Sequence, residues 1–465
     1  MSVLATCRRS PPPARRGWRE PAVAFLRIGL PFGLAFALLM PPFSPPDENR
    51  HLTRAYLIAE GSWAPPGEAS WARASLPRSF GRLQRAVRAP GQRSSLPLRP
   101  AEVSTLFRIP LQPEERFRII FAGVYSPLPY LPAAMGIALG RLFGLPATAL
   151  LLLGRITSLA ACLALTAAAV RRMPRRGWAL AVLALAPMTL AQFAAVSADG
   201  VTVALAFLFV ACALDLAIRP QGRTRSRAVA TLGALALLLG LAKPGYGVLA
   251  LVPLAAAAGG PSERRLIRLA SGVSLAALLL GNAASLVLAQ LARVPPPSPG
   301  ADPFLQLRAI LTLPFDFLLV CLRTLAAGLP LYGREIVGYF GQLEAPLPTA
   351  LVLAYGGLLL AAIATDGEDP PGLTPWKRFL LLALFAAGLL SVLLMAYLGW
   401  NRLGAPYVQG MQGRYLVPLL PLLLVACPSA GRLARIERRG AVLALGSATI
   451  LACAVEVVVV HFYRL

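Results

Sequence analysis

Seven consecutive residues, Pro45-Pro46-Asp47-Glu48-Asn49-Arg50-His51, concentrate the chemistry this 465-residue chain can offer. The two prolines end whatever helix precedes them and fix the direction of exit. Asp47 then falls where a helix N-cap belongs. Glu48 and His51 are three apart, Asp47 and His51 four apart, so on a following helix they share a face. Two carboxylates and an imidazole there can act as a general base, hold a divalent cation, or do both. Asp47 alone would serve equally as a cap against the helix dipole.

Four other segments carry groups of interest. Tyr125-Ser126-Pro127-Leu128-Pro129-Tyr130 offers tyrosines that either belong to an interfacial belt or line a site entrance. Ser197-Ala198-Asp199-Gly200 reads as a turn, and it supplies a third carboxylate. Lys243-Pro244-Gly245-Tyr246 holds one of only two lysines, the other being Lys377. A compact ammonium at a bilayer edge binds phosphate as a point charge or snorkels to the interface. Gln409-Gly410-Met411-Gln412-Gly413-Arg414-Tyr415-Leu416 places Arg414 at the top of an apolar stretch, where a charge is costly unless a phosphate, a carboxylate or a headgroup meets it. Arg155, Asp215 and Glu456 are weaker intramembrane charges, and His461 reads as a tail residue. No P-loop, dinucleotide fingerprint, HExxH or GxSxG is present.

The elements that must position these groups are membrane helices. The chain is 57% hydrophobic and 14% charged, against about 25% charged in soluble proteins. Several apolar tracts exceed the roughly 18 residues that mark a membrane helix. A soluble enzyme, a disulfide scaffold and a disordered tail protein are excluded. The six cysteines form no CxxC pair and read as small core residues. The net charge of +25 resolves by position. Of 45 basic residues, 22 fall in short loops on one side of the threading, and 12 arginines crowd residues 43–124. The short-loop set follows the positive-inside rule, which leaves nucleic acid without support.

The fold expected is therefore an all-α polytopic membrane protein with about 11 transmembrane helices. Residues 1–21 form a cytoplasmic Arg-rich tail and 22–42 the first membrane helix, uncleaved. Residues 43–147 form a large extracytoplasmic loop with surface helices at Asn49–Glu60, Ser79–Arg88 and 127–143. Six spans occupy 148–291. An extracytoplasmic loop follows at 292–348, with 305–330 as a surface or re-entrant helix, and the last spans fill 349–465. Composition rich in Ala, Gly, Pro and Arg suggests a bacterial plasma membrane, with the N-terminus cytoplasmic.

Together, PPDENRHLTRAYLIAEG, YSPLPYLPAAMG, SADG, KPGY and QGRYLVPLLPLL resemble the polytopic membrane family numbered 2142 among the domains of unknown function, over residues 25–427. That family looks related to the GT-C membrane glycosyltransferases. The resemblance implies a GT-C-like fold and transfer of a sugar from a polyprenyl-phosphate donor to a cell-envelope glycan or lipid acceptor outside the membrane. Asp47 would be catalytic, as base or metal ligand, with Glu48 and His51 in support. Lys243 and Arg414 would hold donor phosphate, and His51, Tyr130, Asp199 and Tyr415 would complete the substrate site. A Mg or Mn ion would sit on Asp47 and His51. Partners would be the lipid-linked donor, membrane lipids and a glycan acceptor. Two alternatives stay open: a lipid-linked glycan flippase, and a non-catalytic subunit of an envelope-assembly complex.

Overall fold

The computed structural model describes residues 20–63, 73–88, 97–120, 125–218, 225–257, 260–291, 300–367, 369–370, 372–430 and 438–464. The arginines of the N-terminal tail, Cys7 and most of the 219–224 and 431–437 loops lie outside the described residues. The first helix, α1, runs Pro21–Leu39, and α2 (Glu48–Ala59) follows the proline loop. Strand β1 (Arg73–Pro77), α3 (Arg78–Val87), α4 (Pro100–Leu106) and β2 (Arg116–Ile120) come next, then α5 (Leu131–Leu142). The bundle continues with α6 (Ala147–Arg172), α7 (Gly177–Ala184), α8 (Pro187–Phe193), α9 (Ala198–Ile218), α10 (Arg225–Ala242), α11 (Val252–Ala256) and α12 (Pro261–Leu291). Then come α13 (Pro303–Thr312), α14 (Pro314–Val337), β3 (Tyr339–Phe340), β4 (Ala345–Pro346), α15 (Thr349–Thr365), α16 (Pro375–Trp400), α17 (Leu420–Ala426) and α18 (Arg439–Phe462). Single 3-10 turns lead into α5, α11 and α17.

This is an all-α polytopic membrane fold. The amphipathic pieces read from the sequence are the helices α2, α3 and α5, each too short to cross a bilayer. An antiparallel β1–β2 ladder, Arg73 opposite Ile120 through Pro77 opposite Arg116, is the departure from an all-helical first loop. Its strands lie some 40 residues apart in sequence, so no local turn signal announces the pairing.

Seven helices among the described residues are long and apolar enough to cross a membrane, and four shorter apolar stretches accompany them. α14 is one of the seven, yet its contacts hold it at the Asp47 end of the bundle. Phe317 packs on Tyr397 near the end of α16 with ring centroids 5.4 Å apart. The Thr324 hydroxyl accepts from Val408 N at 2.8 Å, and Glu335 accepts from Gly413 N at 2.5 Å. All three partners follow or end α16. The other six long helices, the four shorter apolar stretches and the broken pair α7–α8 make up the rest of the apolar bundle among the described residues. Pro187 is what breaks that pair, at the first turn of α8. The segment 305–330 is not a single helix: it divides at Leu313 into α13 and α14.

The opposite end is clasped by Arg176, whose side chain is fully buried. Its guanidinium donates to Leu424 O (3.1 Å), Cys427 O (3.0 Å) and Asp369 Oδ1 (2.8 Å). Arg378 holds the other Asp369 oxygen at 2.5 Å, and Asp366 accepts from Ala179 N at 2.9 Å. Thus two of the arginines that read as solvated topology markers are staples joining α7, α15, α16 and α17. The cysteines among the described residues are free and buried or half-buried.

Small residues set a close crossing between α10 and α12. A Cβ at Gly240 of α10 would lie 2.3 Å from Leu278 O, and one at Gly281 of α12 would lie 2.6 Å from Leu237 O. Gly240→Val should therefore force α10 and α12 apart and destabilise the protein by about 1–3 kcal/mol. A thermal melt in detergent checks it; an unchanged midpoint would refute the close crossing.

Candidate functional site

The site grows from the loop between α1 and α2. Residues 41–46 read Pro-Pro-Phe-Ser-Pro-Pro, so four of six lack a backbone N–H and the segment is rich in acceptors. Buried carbonyls need donors, and long side chains from distant elements supply them. Arg155 of α6 donates to Ala37 O (2.9 Å), Met40 O (2.6 Å) and Pro41 O (3.0 Å). Gln342, at the tip between β3 and β4, reaches Phe43 O (3.3 Å) and Pro45 O (2.9 Å). Arg88 donates to Phe43 O as well. Phe43 and Asp47 are both held at positive φ, 63° and 57°. Such backbones are uncommon for non-glycine residues and cluster where surrounding structure over-determines them.

Glu48 does the determining. It is fully buried, and Arg155 meets it with Nε at 2.8 Å and Nη2 at 2.5 Å. Its oxygens also accept from Phe43 N at 2.9 Å and from Val196 N at 3.2 Å. Every lone-pair direction of this carboxylate is directed at the protein. The geometry gives Glu48 a positioning role, next to an Asp47 that stays half-exposed with Arg50 at 3.8 Å. Asp47 accepts no side-chain capping bond, so its carboxylate is not spent on the helix.

A second cluster comes from the opposite wall. Asp199, in the first turn of α9, takes Lys243 Nζ at 2.6 Å and faces Arg414 Nε at 3.6 Å. Both cations lie over the Tyr415 ring, at 4.0 Å and 5.3 Å from its centroid. The Tyr246 hydroxyl fixes Tyr415 through its carbonyl at 2.9 Å. Burial pushes Lys243 toward neutrality, but Asp199 and the surrounding tyrosines override it, and the ammonium sits well above its usual pKa. Two close approaches place these groups. A Cβ at Gly413 would lie 2.1 Å from Tyr332 O, and one at Gly200 would lie 2.6 Å from Gln192 O. Gly200, read from sequence as part of a turn, is thus required by helix packing.

His51 joins the two clusters. Its Nδ1 shares a hydrogen bond with the Tyr130 hydroxyl at 2.8 Å, and its ring stacks on Tyr125. Burial lowers its pKa, Asp199 and Asp47 pull it up, and Arg414 and Lys243 push it down; the balance is a lowered value. Burial also raises the Tyr130 hydroxyl well above its usual pKa. The pair is therefore neutral near pH 7.

The structure brings together Asp47, Glu48, His51, Tyr130, Asp199, Lys243, Arg414 and Tyr415. It does not favour a metal on Asp47 and His51. Among the described residues no three His, Cys, Asp or Glu side chains group as ligands; Glu48 is taken by Arg155 and Asp199 is already matched by two cations. A hard divalent ion wants several oxygen ligands, and this donor set does not fit one. Between the proline loop, α8 and the Gly341 turn lies a small cleft, with Arg414 and Gln192 in its wall.

A family model describing predicted membrane proteins, DUF2142, matches residues 30–423. The chain belongs to the DUF2142 family. No curated protein and no solved structure matches it. As a DUF2142 protein it is a multi-pass membrane protein, and every residue of the two clusters falls inside the matched span. Sequence reading missed Gln192, Glu335, Gln342 and the role of Arg155. The partners of Glu335, Arg155 and Gln342 lie from 78 to almost 300 residues away, and only the unusual cost of an arginine inside an apolar helix pointed to Arg155.

Two predictions follow from this geometry. Glu48→Gln should cost about 3–5 kcal/mol by stranding Arg155, while the double variant Glu48→Met, Arg155→Met should lose clearly less. Thermal unfolding decides, and equal losses would deny the pairing its role. Folding favours neutral His51, so its contribution is complete above about pH 6.5 and is lost as pH falls below that. Imidazole ¹⁵N NMR on a chain with two histidines should show His51 neutral at about pH 6.5, where half-protonation would contradict its burial.

Proposed function

We propose that this DUF2142 protein is a membrane glycosyltransferase, working at the Asp47 end of the bundle on the extracytoplasmic side of a bacterial plasma membrane. The carrying observation is a half-exposed, uncapped carboxylate, Asp47, at the same end of the bundle as a largely buried cationic pair, Lys243 and Arg414, with His51 between them. Transfer of a sugar from a polyprenyl-phosphate donor needs those two features. Asp47 takes the proton of an acceptor hydroxyl as that oxygen bonds to the anomeric carbon. The bond from that carbon to the phosphate oxygen breaks, and the departing phosphate takes its electron pair toward Lys243 and Arg414. Preorganised cations at a developing charge are commonly the largest catalytic contribution.

Asp199 and Tyr415 hold the two cations in place, and His51 with Tyr130 forms the neutral wall beside Asp47. Lipids supply the donor and a cell-envelope glycan or lipid is the acceptor. The gathering of the site charges at one end of the bundle favours transfer chemistry over a flippase, which needs a polar route through the membrane.

Asp47→Asn should leave the protein folded and inserted, because Asn tolerates positive φ as Asp does. It should reduce transfer by about 10²-fold or more, as loss of a general base does. Mass spectrometry of lipid-linked and envelope glycans in a deletion strain, rescued by wild type or by this variant, measures it. Full rescue by Asp47→Asn would remove the assignment.

A further inference from the structure

Asp47 and Arg414 come from opposite ends of the chain, and one short segment touches the backbone beside each. Asp47 follows the proline loop, and Arg414 follows Gly413. Residues 332–344 comprise the end of α14, β3 and the tip after it. On the Arg414 side, Glu335 accepts from Gly413 N, and the Tyr332 carbonyl leaves no room for a Cβ at Gly413. On the Asp47 side, Gln342 Nε2 donates to Pro45 O at 2.9 Å and lies 3.3 and 3.4 Å from Phe43 O and Ser44 O. The two polar contacts are two helical turns apart in sequence, yet each grips a different wall of the site.

The segment between them is stiff. Tyr339 pairs with Pro346 and Phe340 with Ala345, and Leu347 N closes the ladder on Gly338 O at 3.0 Å. Phe340 is buried against Phe36 of α1, with ring centroids 5.4 Å apart. The tip turns through Gly341 and Leu343, both at positive φ, 67° and 63°. A bulky residue persists there only where the surrounding structure imposes it. Pro45, Pro46, Phe340, Gly341 and Arg414 converge on a cavity of about 10 Å³, room for about one water. Interiors packed this closely transmit a displacement and do not absorb it.

We infer that residues 332–344 are a tie that sets the spacing between Asp47 and the Arg414 turn, with Gln342 and Glu335 as its positioning residues. This rests on the glycosyltransferase reading and adds to it that base and cation are held to one another. Gln342 acts through the loop that carries Asp47, and Glu335 through the backbone that carries Arg414. A displacement of about 1 Å at a reacting group can cost about 10²-fold in rate, so these hydrogen bonds bear on turnover as well as on stability.

The test uses the full chain in nanodiscs. The donor is lipid-linked sugar extracted from the deletion strain, and that strain's envelope membranes are the acceptor. Mass spectrometry follows transfer, and calorimetry reads the binding of citronellyl phosphate. Gln342→Met should lower kcat about tenfold and leave the donor KM and the phosphate Kd within about twofold. Gln342→Ser, too short to reach the loop, is the second variant should the first not fold. Glu335→Gln removes the charge but keeps an acceptor for Gly413 N, so it is the reference for Glu335→Met. Relative to that reference, Glu335→Met should raise KM and Kd about tenfold, with kcat within about twofold. Wild-type kcat in the Gln342 variants overturns the inference. So does a rise in KM and Kd common to the Gln342 and Glu335 variants, which would mean general loosening. A wild type that transfers no sugar overturns the glycosyltransferase reading itself, whereas wild-type transfer with an unmoved Gln342 variant overturns the tie alone.

Discussion

The buried ion pair between Glu48 and Arg155 is the constraint on which the site depends. Removing two charges from water costs several kcal/mol each, and the attraction between them repays it only with full hydrogen bonding. Here the bonding is full on both sides. Arg155 satisfies Glu48 and three carbonyls at the end of α1, and Glu48 adds two backbone N–H groups. A loop of four prolines has few donors of its own, Ser44 to Pro41 O being one, so groups outside it must satisfy the rest. The pair ties α1, α6, the start of α2 and the approach to α9 at one point. Asp47 inherits its position, and its strained backbone, from that point.

The two ends of the bundle use arginine differently. At the Arg176 end a guanidinium gathers helix C-terminal carbonyls and one shared carboxylate, Asp369. Helix C-termini present unpaired carbonyls, so this clasp finishes several helices together. At the Asp47 end one arginine, Arg155, is committed to a carboxylate beside the site, and a second, Arg414, faces Asp199 together with Lys243. The first arrangement gathers carbonyls, and the second balances carboxylates.

Much of this was legible in the residues. Apolar run length gave the helices, and the spacing of Asp47 and His51 pointed to a common neighbourhood at the start of α2. Lys243 and Arg414 stood out as charges that topology did not explain. The exchange of roles within Asp47-Glu48 was not legible. Which neighbour turns inward depends on Arg155, 107 residues away from Glu48, and one helical step separates solvent from core. Gln192 was silent because a glutamine in an apolar run carries no periodic signal. Gly200 looked like a turn residue and Gly413 carried no signal of its own, and only the backbone opposite each reveals the need for a missing Cβ.

α14 has its polar contacts on one stripe, Thr324 and Glu335, and bare apolar side chains on the other, among them Phe315, Leu322 and Leu329. That stripe repeats every seven residues, two turns of helix, and acyl chains are its natural solvent. Such a helix leaves an apolar flank next to the segment that carries Arg414. On the proposed glycosyltransferase reading, a donor with a hydrocarbon tail would reach the site by lateral diffusion, its supply set by surface density in the leaflet and not by a concentration in water.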